Sequence, residues 1–181
     1  MKKLRKILSV LMAVAMLSCV TANVVNAAGA EDSSPRTVAF TFKNLQSGLY
    51  LDVFGSQGAG AQVIQYHKNG NTNQTFYMVN YPAPEREIYA FYPAHDTTTF
   101  LSVQNDSGAA GAAVITASGE IPAYWDAIYD EAKGAYRIYS ASSDYTKCIG
   151  PKDGSMEEEA PIVLQDPVDN DNSQYWVLEI A

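Results

Sequence analysis

Cysteine is nearly absent from this chain. Only Cys19 and Cys148 occur among its 181 residues, and Cys19 lies in an N-terminal segment that we expect to be removed. The single remaining thiol cannot form an intramolecular disulfide, so the fold must be held by a hydrophobic core. A domain of about 150 residues buries roughly 70% of the surface of its unfolded chain, which is sufficient for such a core.

Histidine is equally scarce, and the sequence offers no catalytic or metal-binding motif. Its two histidines, His67 and His95, have no companion ligands at the spacing of a zinc site. No glycine-rich phosphate loop occurs, and residues 169–173 lack the glycine and the distal glutamate of a calcium loop. Nothing singles out a pair of carboxylates for glycoside hydrolysis. We therefore expect no metal, no cofactor and no enzymatic activity.

Positive charge is also in short supply. The chain has 12 Lys and Arg against 20 Asp and Glu, a net charge of −8. Four of the basic residues fall within the first six positions, so eight remain after residue 27 and the net charge there is −12. Such a surface repels phosphate groups and anionic lipids. We expect neither nucleic acid nor a membrane to be a partner of the mature domain.

The first 27 residues have the order of a secretory signal peptide. A basic head is followed by a short apolar stretch and then by small residues. We expect cleavage after Ala27 or Ala30, a disordered leader over residues 28–37, and secretion from a bacterial cell. A membrane anchor is an alternative, although it would require about 20 apolar residues. A lipoprotein modified at Cys19 is a second alternative.

Helical periodicity is missing after residue 30. Short runs rich in Val, Ile, Tyr, Phe and Trp are separated by clusters of Gly, Asn, Asp, Ser and Pro. This alternation is typical of an all-β sandwich or barrel built from many short strands. The sequence therefore predicts an all-β domain over residues 38–181.

One pattern recurs three times along that domain. Its opening positions are 50 and 48 residues apart, at Tyr50, Phe100 and Cys148. About fourteen residues later comes an apolar pair, at 63–64, 114–115 and 162–163. Each unit then closes on an aromatic residue, and these are Phe76, Trp125 and Trp176. Such agreement predicts three pseudo-repeats of about four strands each, with Cys148 buried like the large apolar residues at its equivalent positions.

The closing segments resemble those of a known family. Residues 174–176, Gln-Tyr-Trp, match the Gln-x-Trp tail of the ricin B-type lectins, and residues 74–76, Gln-Thr-Phe, nearly match it. In the second unit Trp125 keeps the aromatic while Ala123 replaces the glutamine. The resemblance implies a β-trefoil of three units with the closing aromatics in its core. It also implies a secreted, non-catalytic, carbohydrate-binding protein.

The resemblance further implies a sugar site in the first unit. Family members place a carboxylate two residues after the first core residue of the unit, an aromatic after the apolar pair, and amides before the closing aromatic. The matching residues are Asp52, Tyr66, Asn73 and Gln74. A surface carboxylate, an aromatic face and orienting amides are the parts that a shallow sugar site requires.

Each of these residues also has a structural interpretation. Asp52 could cap a turn, Asn73 could be an ordinary loop residue, and Gln74 could bond to the backbone of its own loop. If Tyr66 belonged to the core, His67 would face the pocket in its place. If Asp52 lies at the surface, its removal should leave the stability of the domain nearly unchanged.

The other two units lack this set of residues. The matching positions in unit two hold Ser102, Ala117, Pro122 and Ala123, and those in unit three hold Gly150, Gln165, Ser173 and Gln174. We therefore expect a monomer with one site for galactose-type or related sugars of extracellular glycans or polysaccharides. The alternative is a non-catalytic scaffold that binds a protein partner, as a protease inhibitor or a toxin-complex component does.

Overall fold

The computed structural model describes residues 38–181, so the predicted signal peptide and leader lie outside the described residues. Twelve short strands and six single-turn 3₁₀ helices make up this part of the chain. The strands are β1 (Ala39–Asn44), β2 (Tyr50–Val53), β3 (Val63–Tyr66), β4 (Phe76–Ala83), β5 (Arg86–Pro93), β6 (Phe100–Val103), β7 (Val114–Ala117), β8 (Trp125–Asp130), β9 (Ala135–Ser140), β10 (Cys148–Pro151), β11 (Ile162–Gln165) and β12 (Trp176–Ile180). The helices are Phe54–Ser56, Thr72–Gln74, Gln104–Asp106, Ala141–Ser143, Lys152–Gly154 and Asn172–Gln174.

Six of the strands close into a barrel. In order around the barrel they are β1, β4, β5, β8, β9 and β12, and β12 returns to pair antiparallel with β1. Closure leaves no open sheet edge in this ring, which removes a common route to edge-to-edge aggregation. Each unit of four strands contributes its first and last strand to the barrel.

The remaining six strands form three hairpins, β2–β3, β6–β7 and β10–β11. Single bridges join each hairpin to the others, at Gln62 with Ile115, Ile64 with Pro161 and Ala113 with Val163. Three equivalent hairpins joined in a ring on a six-stranded barrel make a β-trefoil. The predicted fold class is therefore confirmed.

The same turn follows the second strand of every unit. Its central residue has a positive φ in each case: 62° at Gly55, 58° at Asn105 and 56° at Asp153. Glycine adopts this left-handed conformation without steric cost, and Asn and Asp tolerate it better than other residues. The units therefore keep one backbone geometry although their sequences differ.

The closing aromatics lie at the centre of the core, as predicted. Phe76, Trp125 and Trp176 are at most 1% exposed. The indole Nε1 of Trp125 donates to the carbonyl oxygen of Leu101 at 3.2 Å, and that of Trp176 donates to Ile149 at 3.3 Å. Because Leu101 and Ile149 are the second residues of β6 and β10, the two bonds are related by the pseudo-threefold symmetry.

Cys148 is the first residue of β10 and is fully buried. Its equivalents, Tyr50 and Phe100, begin β2 and β6 and are also buried. Burial raises the pKa of the Cys148 thiol to about 12, and a protonated, inaccessible thiol reacts slowly. The expected burial of Cys148 and the superposition of the three units are both confirmed.

Candidate binding site in the first unit

Strand register brings Asp52 and Tyr66 to one face of the β2–β3 hairpin. Asp52 lies opposite Ile64, and Tyr50 lies opposite Tyr66. Since side chains alternate across a strand, these four share one face, while Leu51 points to the opposite side and belongs to the hydrophobic core. Diagonal cross-strand neighbours are within reach of an aromatic side chain. A carboxylate and an aromatic ring are therefore placed on the same outer face of the unit.

The carboxylate of Asp52 is buried rather than superficial. Only 3% of Asp52 is exposed. Its Oδ1 accepts from Nδ2 of Asn73 at 2.8 Å, and its Oδ2 accepts from Nδ2 of Asn69 at 3.4 Å. The expectation of a surface carboxylate is wrong, because the segment from Asn69 to Asn73 returns across the hairpin and covers it.

Burial also changes the acidity of Asp52. Desolvation raises the pKa of its carboxyl from 3.8 to about 6. The amides of Gln74, Asn69 and Asn73 oppose this effect by bonding to the charged form, and a protonated His95 would oppose it further. Because desolvation is the largest contribution, the site holds a carboxyl that ionises close to neutral pH.

Asn73 links the hairpin to the loop that covers it. Its Nδ2 donates both to Asp52 and to the carbonyl oxygen of Val53, the latter at 3.0 Å. Asn73 is only 5% exposed, and its Oδ1 is buried without a hydrogen-bond partner among the described residues. A buried acceptor without a partner is energetically costly, so the other bonds of Asn73 must offset this cost.

Gln74 holds the loop and does not face outward. Its Nε2 donates to the carbonyl oxygen of His67 at 2.7 Å, and its Oε1 accepts from the backbone N–H of Asn69 at 3.0 Å. Gln174 makes the equivalent pair of bonds in unit three, to Asp166 and from Val168. This geometry matches the structural interpretation of Gln74, which shapes the site through the loop backbone.

Tyr66 and His67 stand side by side at the rim of the site. Their ring centroids are 4.2 Å apart with an angle of 35° between the planes. Tyr66 is half-buried, and the side chain of His67 is 54% exposed. Nδ1 of His67 lies 2.8 Å from Oε1 of Glu158, which sits in unit three. Both rings are therefore accessible, and the two sequence alternatives for this position do not exclude each other.

The structure adds three residues that the sequence did not indicate. Asn69 and Glu158 contact the predicted residues directly. His95 lies in the loop after β5, and its Nε2 is 2.9 Å from the carbonyl oxygen of Gln57. Since a carbonyl only accepts, Nε2 carries a proton, and Nδ1 of a neutral His95 has the lone pair. That Nδ1 is buried without a partner in the described part of the chain.

The five predicted residues are thus gathered in one hairpin and the loop that follows it. Asp52, Tyr66, His67 and Asn73 surround one outer surface, and Gln74 supports it from beneath. Their part in binding a sugar stays a prediction.

The equivalent space in unit three is filled by protein. A Cβ added at Gly150 would lie 3.1 Å from the carbonyl oxygen of Ser173 and 3.3 Å from the amide of Gln165. Gln165 is held there by a bond from its Nε2 to Pro151 at 2.6 Å and by one from Gln174 at 3.1 Å. A carboxylate at position 150 could not be accommodated without displacing Gln165, so this surface differs from that of unit one.

Among residues 38–181, neither a metal-binding cluster nor a membrane-spanning helix is present. No group of three or more His, Cys, Asp or Glu side chains there is placed to hold a metal ion. Within the same residues, no helix is long and apolar enough to cross a membrane.

Comparison with known proteins identifies relatives of the fold and of the sequence. The model of a family described as ricin-type beta-trefoil lectin domain-like matches residues 26–117. The search of the curated proteins found no match. Among solved structures, the designed threefold-symmetric protein ThreeFoil is 26% identical with a TM-score of 0.68, and the alignment covers 79% of this chain and 98% of that one.

Two natural proteins of lower identity share the fold. The exo-beta-1,3-galactanase 1,3Gal43A of Clostridium thermocellum is 24% identical with a TM-score of 0.68, over 81% of this chain and 31% of that chain. This chain therefore corresponds to less than a third of that enzyme. The Macrolepiota procera ricin B-like lectin, solved in complex with lactose, is 15% identical with a TM-score of 0.67, over 88% of this chain and all of that one.

Proposed function

This chain belongs to the ricin-type β-trefoil lectin-like family, and we propose that it binds a galactose-type sugar at one site in unit one. The family and the fold support a carbohydrate-binding, lectin-like role. The ligand is a residue of an extracellular glycan or polysaccharide, and no chemical reaction follows binding. The observation that carries the proposal is the buried pair of Asp52 and Asn73.

The pair supplies the polar half of the site. The carboxylate oxygens of Asp52 can accept hydrogen bonds from two sugar hydroxyls, which is the strongest recognition a neutral sugar allows. These acceptors are already oriented by the loop, so little conformational entropy is lost when a sugar binds.

The rings of Tyr66 and His67 supply the apolar half. A pyranose has one face rich in C–H groups, and an aromatic surface beside the acceptors covers that face. Tyr66 shares the outer face of the hairpin with Asp52. The sugar is thus bound between hydrogen-bond acceptors on one side and aromatic rings on the other.

We propose that the domain acts outside the cell as a monomer. The order of the first 27 residues supports export, and Cys19 offers lipid attachment as the alternative. The mass of the mature secreted protein distinguishes the two. A mass that corresponds to a chain beginning at residue 28 or 31 supports cleavage of an ordinary signal peptide. A mass that corresponds to a chain beginning at a lipidated Cys19 contradicts it.

A glycan array tests the proposed function. The wild-type domain should bind glycans with terminal galactose-type residues, and free galactose should compete. Asp52→Asn keeps the size of the side chain but presents a donor where a hydroxyl must donate, so its binding should be lost. Ser102→Asn, at the matching position of unit two, is the control and should bind normally. If the wild type bound no glycan, the protein-binding alternative would replace the proposal.

A further inference from the structure

In each unit of the trefoil, one loop contacts the next unit. The loop between the second and third strands of one unit donates a backbone hydrogen bond to the third strand of its neighbour. The three bonds run from Gly60 to Thr116 at 2.7 Å, from Gly111 to Leu164 at 2.8 Å and from Glu159 to Gln65 at 2.9 Å. The β3 strand of unit one is therefore in contact with the β10–β11 loop of unit three.

These three loops make the same backbone hydrogen bond, but their side chains differ. Residues 58–60 are Gly-Ala-Gly and residues 109–111 are Ala-Ala-Gly, whereas residues 157–159 are Glu-Glu-Glu. The glutamates thus stand only in the loop that borders unit one, the unit with the candidate site. Glu159 has a φ of 62° at the position where Gly60 and Gly111 have 90° and 85°. A left-handed conformation is unfavourable for glutamate, yet a glutamate occupies this left-handed position in the loop of unit three.

Gln65 fixes the acidic loop in place. It is fully buried, and its Nε2 donates to the carbonyl oxygens of Ser155 and Glu157, both at 2.8 Å. Its Oε1 accepts from the hydroxyl of Ser47, also at 2.8 Å. Leu164 stands at the equivalent position of unit three and offers no side-chain hydrogen bonds. The joint between units three and one therefore has side-chain hydrogen bonds that the joint between units two and three lacks at this position, and in the joint between units one and two Thr116 supplies them.

The acidic loop of unit three contacts the rim of the candidate site through Glu158. Oε1 of Glu158 lies 2.8 Å from Nδ1 of His67, and both side chains are about half exposed, at 46% and 54%. Since a carboxylate only accepts, Nδ1 carries the proton, and Nε2 of a neutral His67 is an acceptor. The ring of His67 packs against Tyr66. Polar groups from two units thus stand directly beside the aromatic surface.

Space for a ligand group is present beside Glu158, in a surface cavity whose lining residues all belong to unit three. Glu158, Lys152 and Asp153 help to line this cavity of about 460 Å³. Oε2 of Glu158 has no hydrogen-bond partner among the described residues, so it can accept from a sugar hydroxyl. The neighbouring glutamates repel carboxylate and sulfate groups. The surface is suited to a neutral sugar residue and unsuited to an acidic one.

We propose that His67 and Glu158 form a second subsite across the boundary between units one and three. This subsite takes the neutral sugar residue that is linked to the galactose-type residue bound at Asp52. The inference rests on the proposed function, since it extends the same site. It makes the ligand a neutral oligosaccharide, and it makes Glu158 a residue that selects between glycans with the same terminal sugar.

Calorimetric titration with galactose and lactose tests the subsite. The wild type should bind lactose more tightly than galactose. Glu158→Ala should lower the affinity for lactose about 5- to 10-fold, which is close to the loss of one hydrogen bond, and should change that for galactose less than about twofold. Glu157→Ala removes the same charge from the same loop but keeps the pair with His67, so its lactose affinity should stay within about twofold of wild type.

Distinct results separate the possible failures. If Glu158→Ala weakened galactose and lactose equally, Glu158 would only position Tyr66 through His67, and the subsite would be wrong. Unchanged lactose affinity in Glu158→Ala, or equal affinity of the wild type for the two sugars, would also overturn it while leaving the site at Asp52 intact. If the wild type bound neither sugar, or if Asp52→Asn bound both normally, the proposed function itself would fail and the subsite with it. Melting temperatures of all variants identify any loss that is due to unfolding.

Discussion

Asn73 donates from Nδ2 to Oδ1 of Asp52 at 2.8 Å although 21 positions separate the two residues in the chain. The bond joins the middle of strand β2 to the 3₁₀ helix that precedes β4. It also leaves Oδ1 of Asn73 without a partner in the described part of the protein. One contact therefore helps to hold the loop of unit one in place over the carboxylate of Asp52.

Asp52→Ala should destabilise the domain. The substitution leaves the buried amide of Asn73 with one bond fewer, and an unsatisfied buried donor costs about 1–3 kcal/mol. Urea denaturation at about pH 5, below the raised pKa of Asp52, followed by tryptophan fluorescence, measures the change in the free energy of unfolding. Ser102→Ala alters the matching position of unit two, where we expect a change within about 0.5 kcal/mol. Equal stability of Asp52→Ala and wild type would contradict the burial of this carboxylate.

Galactose binding should weaken as the pH falls through 6. Burial raises the pKa of Asp52 to about 6, and only the ionised carboxylate accepts from two hydroxyls. The ionised fraction falls about tenfold between pH 7 and pH 5, and the affinity should fall with it. His67→Gln and His95→Gln remove the histidines and should leave this drop in place. A drop that disappeared in either variant would assign the titration to that histidine.

The carboxyl of Asp52 should make the folded domain more stable as the pH falls, whereas it makes galactose binding weaker. Its pKa is higher in the folded protein than its ordinary value of 3.8, so the folded state holds a proton that the unfolded chain has already released. The stabilising contribution of Asp52 is therefore complete below about pH 4 and is lost as the pH rises through about 6. Comparison of the pH dependence of unfolding in wild type and Asp52→Asn isolates this contribution, which should be absent from the variant.

Trp176→Ala should cost about 3–5 kcal/mol because it removes a fully buried indole from the core. Trp176→Phe keeps most of the apolar volume and loses the bond to Ile149, so it should cost less than the alanine variant. Chemical denaturation of the two variants tests the order. In the native wild type, fluorescence emission should be that of buried tryptophans, and a maximum typical of full exposure would contradict the core that the three units share.

Monosaccharide binding should be weak and occur at one site per chain. A charged hydrogen-bonding group and one aromatic surface give a dissociation constant on the order of millimolar, about −4 kcal/mol. With a single site, a monomer gains nothing from multivalent display and should not agglutinate cells. Titration with galactose should fit a stoichiometry of one. A stoichiometry of three would mean that units two and three also bind.

Repetition in the sequence predicted the fold because every unit repeats the same core positions. The opening residues of β2, β6 and β10 and the closing aromatics superpose in the structure as they do in the sequence. The burial of Cys148 followed from this superposition alone. Periodicity of core residues is thus a strong guide here, since a trefoil unit cannot bury its apolar face without its neighbours.

The candidate site was only partly predictable. Strand alternation places Asp52 and Tyr66 on one face, which the sequence can indicate. The burial of Asp52 could not be foreseen, because it depends on where the side chain of Asn69 falls after the loop turns back. The contact between His67 and Glu158 joins residues 91 positions apart in different units. No local pattern indicates it, and only superposition of the loops of all three units would have done so.

The contact of each loop with the next unit has a consequence for protein engineering. A symmetric protein made by copying unit one three times would place residues 58–60, Gly-Ala-Gly, against every copy of β3, where the natural chain has residues 157–159. Its three surfaces would reproduce Asp52, Tyr66 and Asn73 without Glu158. The smallest transferable module is therefore a pair of consecutive units in cyclic order, the third and the first, and a circular permutant that keeps this pair contiguous would carry the whole surface.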